Sequence, residues 1–108
     1  MNMIYSPEAD VLARIERCQG FDWDEGNSDK NWRKHGVTNE ECEEVLDRRP
    51  IHLDIDHAHS LGEQRFQALG QTSQQRLLFV AFTIRGDRIR VISARDMNQK
   101  ERLRYLTP

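Results

Sequence analysis

The longest apolar run of the 108-residue chain, residues 77–82, constrains its fold more than any other feature. Six residues are far fewer than the ~20 that a helix needs to cross a bilayer. The run has no polar position on either face, which is typical of a central strand covered on both sides. Gly86 and Asp87 follow as a two-residue hairpin signal, and residues 89–92 continue as the next strand. The pattern therefore predicts a sheet built around this hairpin.

Three weaker patterns predict further strands, at residues 21–23, 51–55 and 64–72. Start and stop residues mark four helices: Ser6 and Pro7 for residues 7–18, Ser28 and Gly36 for residues 28–35, Thr38 for the third helix and Asn98 for the last. Thr38 also forms a capping box with Glu41. Helices followed by a strand meander and a helix predict an α+β fold, with a small antiparallel sheet of about four strands between N-terminal helices and a C-terminal helix.

The length of 108 residues fits a single domain. Residues 1–16 lack the basic start and the apolar stretch of a signal peptide, and two cysteines are too few for a disulfide scaffold. We therefore expect a cytoplasmic protein with no membrane span.

The net charge of −2 conceals an uneven distribution along the chain. Residues 1–50 carry seven Lys/Arg and twelve Asp/Glu, a balance of −5, whereas residues 51–108 carry nine and six, a balance of +3. Eight of the nine later cations are arginine, whose planar guanidinium suits phosphate and carboxylate. This excess permits an anion site in the second half of the chain.

Five arginines fall on, or at the ends of, the predicted strands: Arg65, Arg85, Arg88, Arg90 and Arg95. Arg88, Arg90 and Ile92 share one strand face, because strand side chains repeat every two residues. A cluster on one sheet face suits phosphodiester binding, since each guanidinium offers two parallel hydrogen bonds. The alternative is an ordinary charged sheet face paired with the acids of the first half, and composition alone favours that alternative.

Histidines, aspartates and cysteines give weaker signals. His52, Asp54, Asp56, His57 and His59 crowd into eight residues, but their spacing matches no metal motif, so a solvated strand edge and loop is the favoured interpretation and no metal site is expected. The apolar stripe of the third helix includes Cys42, which predicts a small core residue. Cys18 lies at a helix end without a paired base nearby in the sequence.

Four separate motifs resemble those of BrnT-type toxins, in the same order and with the same spacing. They are FDWDE at residues 21–25, KNWRKHGV at 30–37, GEQRF at 62–66 followed by Leu69-Gly70, and TIRGDRIRVISAR at 83–95. Each motif alone is weakly specific, but together the four motifs are specific. The resemblance extends from residue 21 to about residue 105. Residues 21–108 are then one BrnT-like domain, and residues 1–20 are an N-terminal extension whose short helix we expect to pack on the sheet.

The resemblance implies a fold similar to that of RelE-type toxins and a ribonuclease that cleaves RNA without a metal or other cofactor, so that translation stops. It implies a BrnA-type antitoxin as protein partner, with operator DNA bound only through the complex of the two. Whether the chain also forms a homodimer is left open by the resemblance.

The same resemblance carries functional roles onto matching residues. The catalytic candidates are Glu63, Arg65, Arg85 and Arg95, and the substrate-binding candidates are Lys34, His35 and Arg90. Glu63 is the candidate base, and the three catalytic arginines hold the phosphate and its transition state. Arg90 either binds an adjoining phosphate or pairs with a carboxylate. His35 supplies an acid or simply stabilises the end of its helix.

A second hypothesis is that the chain has no catalytic activity. The isoelectric point of about 6.1 is unusual for a protein that must hold RNA. On this hypothesis, the chain is a non-catalytic or lapsed toxin-like module that only binds an antitoxin partner.

Overall fold

A computed structural model describes residues 7–108, so the expected cap at Ser6 lies outside the described residues. The four helices are α1 (Pro7–Arg17), α2 (Lys30–His35), α3 (Asn39–Asp47) and α4 (Gln99–Leu106). The five strands are β1 (Gly20–Phe21), β2 (His52–Ile55), β3 (Arg65–Gln71), β4 (Leu77–Arg85) and β5 (Arg88–Asp96). None of these helices is long and apolar enough to cross a membrane.

The strands form one sheet in the order β1-β5-β4-β3-β2. Strands β2 to β5 are an antiparallel meander, as expected. The α+β class is therefore confirmed, but the sheet has five strands and is mixed, because β1 pairs with β5 in parallel. Backbone N–H groups of Gln19 and Asp22 extend this pairing by donating to the carbonyls of Asp87 and Ile89.

The inner face of the sheet carries Phe66, Leu78, Val80 and Phe82, all buried. Helices α1 and α3 cover this face with their apolar stripes, and both contribute to one core cluster. From α1, Val11 is 1% exposed and Ile15 is 6% exposed. Fully burying side chains of this size stabilises a fold by about 1.5–3 kcal/mol each. The first helix is thus part of the core.

The opposite, outer face is covered at one end only. There α4 places Tyr105 against the sheet, in a small cluster with Leu69 and Met97. The Tyr105 hydroxyl donates a hydrogen bond of 2.7 Å to the Pro50 carbonyl. Because α4 has eight residues, the outward side chains of the apolar run stay half-buried; these are Leu77, Phe79 and Ala81. The expected full cover on both sides of this run is therefore wrong.

A β-bulge at Ile92 changes which side chains share a face. Ala81 pairs with Ser93 while Phe82 pairs with Val91, so Ile92 has no partner in the register. The extra residue shifts the alternation of β5 by one position. As a result, Arg90 and Arg95 both lie on the outer face although they are five residues apart.

Local signals set most helix ends. The capping box of Thr38 with Glu41 is present, and Gly36 ends α2 with φ +64°. The predicted cap at Ser28 is wrong: α2 begins at Lys30, after Asp29 in a left-handed conformation with φ +61°.

Candidate nucleic-acid interface

The uncovered end of the outer face holds a shallow groove of about 180 Å³, which we call the arginine groove. Its charged and polar lining comprises Asn27, Lys30, Glu63, Arg65, Thr83, Arg85 and Arg90. A larger groove lies beside Trp23, but three acids line it, Asp24, Glu25 and Asp29, against the single arginine Arg33. An acidic lining repels phosphate, so the arginine groove is the better candidate for an anion site.

Strand register brings the lining residues together. Thr83 of β4 pairs with Arg65 on one side and with Arg90 on the other. Neighbouring strands lie about 4.8 Å apart, so these three residues form a row across the sheet. The Thr83 hydroxyl fixes the row by donating to the Gln64 carbonyl at 2.7 Å.

Arg85 and Glu63 form a two-point ion pair at the end of this row. Arg85 donates from Nε to Glu63 Oε2 at 2.7 Å and from Nη2 to Oε1 at 3.2 Å. Hydrogen bonding from Arg85 lowers the pKa of Glu63, and the carboxylate in turn raises the pKa of Arg85. Glu63 is therefore an ionised acceptor at neutral pH.

Arg90 is bound to carboxylates of the first half of the chain. Its Nη1 and Nη2 each lie 3.0 Å from an oxygen of Asp24, and Asp22 Oδ2 is 3.5 Å from Nη1. The hydrogen bond from Arg90 lowers the pKa of Asp24. Of the two roles left open for Arg90, the described contacts are those of a carboxylate pair.

Arg65 differs from its neighbours. Within residues 7–108 its guanidinium makes no hydrogen bond or ion pair, although the backbone N–H of Arg65 is held by Ser60 Oγ at 3.0 Å. The four cations of the groove face three carboxylates, those of Glu63, Asp22 and Asp24, which leaves one positive charge in excess (4 − 3 = +1). Among the groove cations in residues 7–108, Arg65 and Lys30 have no carboxylate partner, and Lys30 donates to the Ile92 carbonyl. Arg65 is thus the groove arginine whose guanidinium is open to an external anion in the described part of the chain.

Arg95 does not join this group. Its register partner is Phe79, four residues along β4 from Thr83, which corresponds to about 13 Å of strand. The guanidinium lies 4.2 Å from the centroid of the Phe79 ring and donates to both oxygens of Glu101, at 2.7 and 3.0 Å. These contacts attach α4 to the sheet.

Lys34 and His35 also lie outside the groove. Both are exposed in the last turn of α2, where the His35 carbonyl accepts a hydrogen bond from Arg76. Lys30, one turn earlier, lines the groove instead and donates from Nζ to the Ile92 carbonyl at 3.2 Å.

The sequence reasoning missed Lys30, Asp24 and Asn27 as residues of the site. Asn27 is buried and its Nδ2 donates to the carbonyls of Asp22 and Val91, which holds the loop before α2 against β5. The signal that pointed to Asp24 was the excess of acids in the first half of the chain.

The histidines and acids that were weighed as metal ligands contact other side chains of the protein. His52 packs on Tyr105 with ring centroids 5.1 Å apart, Asp54 pairs with Arg104, and His59 Nδ1 lies 3.0 Å from Asp56 Oδ2. In residues 7–108, no three histidine, cysteine or acidic side chains are grouped as metal ligands. Cys42 is fully buried, and burial raises its pKa to about 12.

Comparison with known protein families identifies a match. The sequence model of a family described as "Ribonuclease toxin, BrnT, of type II toxin-antitoxin system" matches residues 23–101. No curated protein matches the chain. The matched interval contains every residue of the arginine groove and starts after α1 and β1. The chain therefore belongs to the BrnT family of ribonuclease toxins from type II toxin–antitoxin systems.

Proposed function

We propose that the chain is an active endoribonuclease toxin and that RNA binds in the arginine groove. The observation that carries the proposal is the unpaired guanidinium of Arg65 beside the ionised carboxylate of Glu63. An uncompensated cation next to a proton acceptor is what phosphodiester cleavage requires.

The reaction needs only groups of the RNA and of the groove. The ribose 2′-hydroxyl attacks the adjacent phosphorus, the bond to the 5′-oxygen breaks, and a cyclic phosphate and a 5′-hydroxyl result. Glu63 accepts the proton of the 2′-hydroxyl, while Arg65 and Arg85 stabilise the charge that gathers on the phosphate oxygens. No metal takes part in this scheme.

Substrate binding activates Glu63 in this mechanism. When the phosphate takes hydrogen bonds from Arg85, Glu63 loses the partner that lowers its pKa. Its pKa then rises towards the ordinary carboxyl value, which makes Glu63 a stronger base.

The proton for the leaving oxygen comes from a cation near the scissile bond. Lys30 is the ammonium group of the groove and takes this role. Lys34 and His35 lie one turn further along α2, where they bind the RNA strand beyond the cleaved bond. Arg95, beside α4, contacts the RNA strand beyond the groove when it leaves its carboxylate partner Glu101.

Membership of a type II family implies a protein antitoxin as the partner. We propose that it is of the BrnA type, that it neutralises the toxin in the cytoplasm, and that operator DNA is bound only by the complex.

Inducible expression tests the proposal, with and without the adjacent small open reading frame, followed by total-RNA analysis. We expect growth arrest with RNA decay when the chain is expressed alone. Expression of the adjacent reading frame together with it should relieve both effects. Arg65→Ala should abolish both effects, whereas Arg88→Ala, which removes an exposed arginine outside the groove, should not. Cleavage by purified protein in EDTA tests the absence of a metal requirement.

One observation favours the second candidate, a module that only binds an antitoxin. Arg85 and Arg90 are both engaged by carboxylates, and the chain is acidic overall. Folded wild-type protein that leaves RNA intact, yet binds its neighbour's product, would establish this function instead.

A further inference from the structure

We infer that Arg90 is a second phosphate site, and that the Asp24 carboxylate occupies this site until RNA displaces it. The inference rests on the proposed function, because it assigns a second nucleotide contact to the same groove. Asp24 is then a resident anion that competes with the substrate.

The geometry around Asp24 is that of an oxyanion site. Arg90 presents two N–H groups side by side, each 3.0 Å from one carboxylate oxygen. A third donor, the backbone N–H of Gly26, lies 2.8 Å from Asp24 Oδ1. A phosphate offers two non-bridging oxygens to the same arginine fork, so it fits where the carboxylate now lies.

Gly26 leaves the room that this site needs. A Cβ atom at position 26 would lie 3.1 Å from Arg90 Nη2 and 3.1 Å from Asp24 Oδ1. Any larger residue would therefore press on the guanidinium and its occupant. The backbone approaches the anion closely because glycine stands at this position.

The two partners differ in how easily each can move. The Asp24 side chain is 58% exposed, whereas the Arg90 side chain is 15% exposed and lies in the groove. The carboxylate can rotate into water while the guanidinium keeps its place. Asp22, 3.5 Å from Arg90 Nη1, continues to orient the cation. Because the carboxylate is largely in contact with water, it loses little on leaving the pair, and a polyanion with several charges can displace it.

Arg90 continues the binding surface of Arg65. The two arginines flank Thr83 on β3 and β5, whose backbones lie about 10 Å apart. Two long side chains at this distance can reach different phosphates of one strand. Release of Asp24 raises the excess charge of the groove from +1 to +2, which explains how an acidic chain can present a phosphate site.

The test measures binding rather than cleavage. A fluorescently labelled single-stranded oligonucleotide with 2′-O-methyl groups serves as the probe, since it lacks the nucleophile. Asp24→Asn removes the competing charge but keeps an acceptor for the Gly26 N–H. We expect its Kd to fall roughly three- to tenfold. The slope of log K against log salt should stay the same in Asp24→Asn, because Arg90 neutralises the same phosphate in both proteins, whereas Arg90→Ala should flatten it by about 0.7.

Two further variants make the result specific. Asp54→Asn removes a carboxylate that pairs with Arg104 at the other end of the outer face, and it should leave the Kd unchanged. In the Arg90→Ala background, Asp24→Asn should no longer tighten binding, because the guanidinium with which the Asp24 carboxylate competes for phosphate is absent.

The outcomes separate the two proposals. If Arg65→Ala weakens probe binding but Asp24→Asn does not tighten it, the Arg90 site is wrong and the proposed function stands. If the folded wild-type protein does not bind the probe at all, the proposed function itself fails.

A measurement on the wild-type chain covers the case in which Asp24→Asn does not fold. The amide resonance of Gly26 should shift when the probe is added, because its hydrogen bond to Asp24 breaks. A Gly26 resonance that stays in place at saturating probe would overturn the inference.

Discussion

Asn31 of α2 binds the edge of the sheet directly: its Oδ1 accepts a hydrogen bond of 2.9 Å from the backbone N–H of Ala94. Strand β1 pairs with β5 only as far as Ile89, so the rest of this edge has no strand beside it. Side chains of Asn27, Lys30 and Asn31 fill the gap by binding the backbone of β5. Edge strands are commonly protected against pairing with other chains, and here polar side chains provide that cover.

Replacing Asn31 by alanine should therefore destabilise the fold. The N–H of Ala94 would lose its partner in a buried place, which costs about 1–3 kcal/mol in the free energy of unfolding. Asn39→Ala is the matched control, because the Asn39 side chain is half-buried and donates to the hydroxyl of Ser28 rather than to a buried backbone group. Urea denaturation of both variants checks the prediction, and equal losses would contradict it.

Arg76 is a second structural centre, and its loss should be costly. Its guanidinium donates to both oxygens of Asp96, to Glu41 of the capping box and to the Gly36 carbonyl at the end of α2. We expect Arg76→Ala to lower the free energy of unfolding by about 2 kcal/mol, from several charged hydrogen bonds at a partly exposed site. Arg76→Lys should recover less than half, because an ammonium cannot reproduce the planar fork. Full recovery by lysine in thermal and urea unfolding would show that charge alone matters.

The same residue gives a pH dependence of stability. Hydrogen bonding from Arg76 lowers the pKa of Asp96 from its ordinary 3.8. A carboxyl with a lowered folded-state pKa contributes stability above its unfolded pKa, and this stability is lost as pH falls through the folded value. The free energy of unfolding should thus decline below about pH 4, where unfolded carboxyls take up protons. Arg76→Ala should flatten this decline; an unchanged slope in urea titrations from pH 2 to 6 would argue against it.

Helix α1 lies outside the family match but should be needed for folding. Ile15 is 6% exposed within the main core, so Ile15→Ala should cost about 2–4 kcal/mol through lost burial and the cavity left behind. Glu16→Ala removes only an exposed partner of Arg49 and should change stability by less than about 0.5 kcal/mol. If calorimetry shows both variants melting like the parent, the helix does not stabilise the domain.

Glu63→Gln should separate catalysis from binding. The amide keeps the shape of Glu63 but cannot accept a proton, so the cleavage rate should fall at least about 100-fold. Affinity for the 2′-O-methyl oligonucleotide should be kept or increased, since Arg85 is freed for the phosphate. Single-turnover cleavage and anisotropy measure the two effects.

The pH profile of kcat/KM gives an independent check on Glu63. Because Arg85 lowers the pKa of Glu63 below its ordinary 4.5 in the free protein, kcat/KM should stay constant down to about pH 5 and fall below it. A fall in kcat/KM that begins well above pH 5 and disappears in His35→Ala would assign the proton transfer to the histidine instead.

The features that were predicted correctly are those whose cause is local. The capping box at Thr38, the cap at Asn98 and the stop at Gly36 each depend on residues within a few positions of the backbone groups concerned. The hairpin at Gly86 follows from the backbone freedom of glycine, which adopts φ +61° there. Each of these interactions forms between near neighbours in the chain, whatever the rest of it does.

The composition of the site depended on contacts between distant segments. Asp24 and Arg90 are 66 residues apart, and only the packing of the first loop against β5 makes them partners. The bulge at Ile92 places Arg95 on the outer face. Strand register then pairs Arg95 with Phe79, four positions along β4 from the row that contains Arg65, and beside α4. Lys30 instead of Lys34 enters the groove because Asn31 fixes the position of α2 against the strand. The charge of a residue can be read from its type, but the partner of that charge is set by register and by how the elements pack, and neither is encoded in any short stretch of the chain.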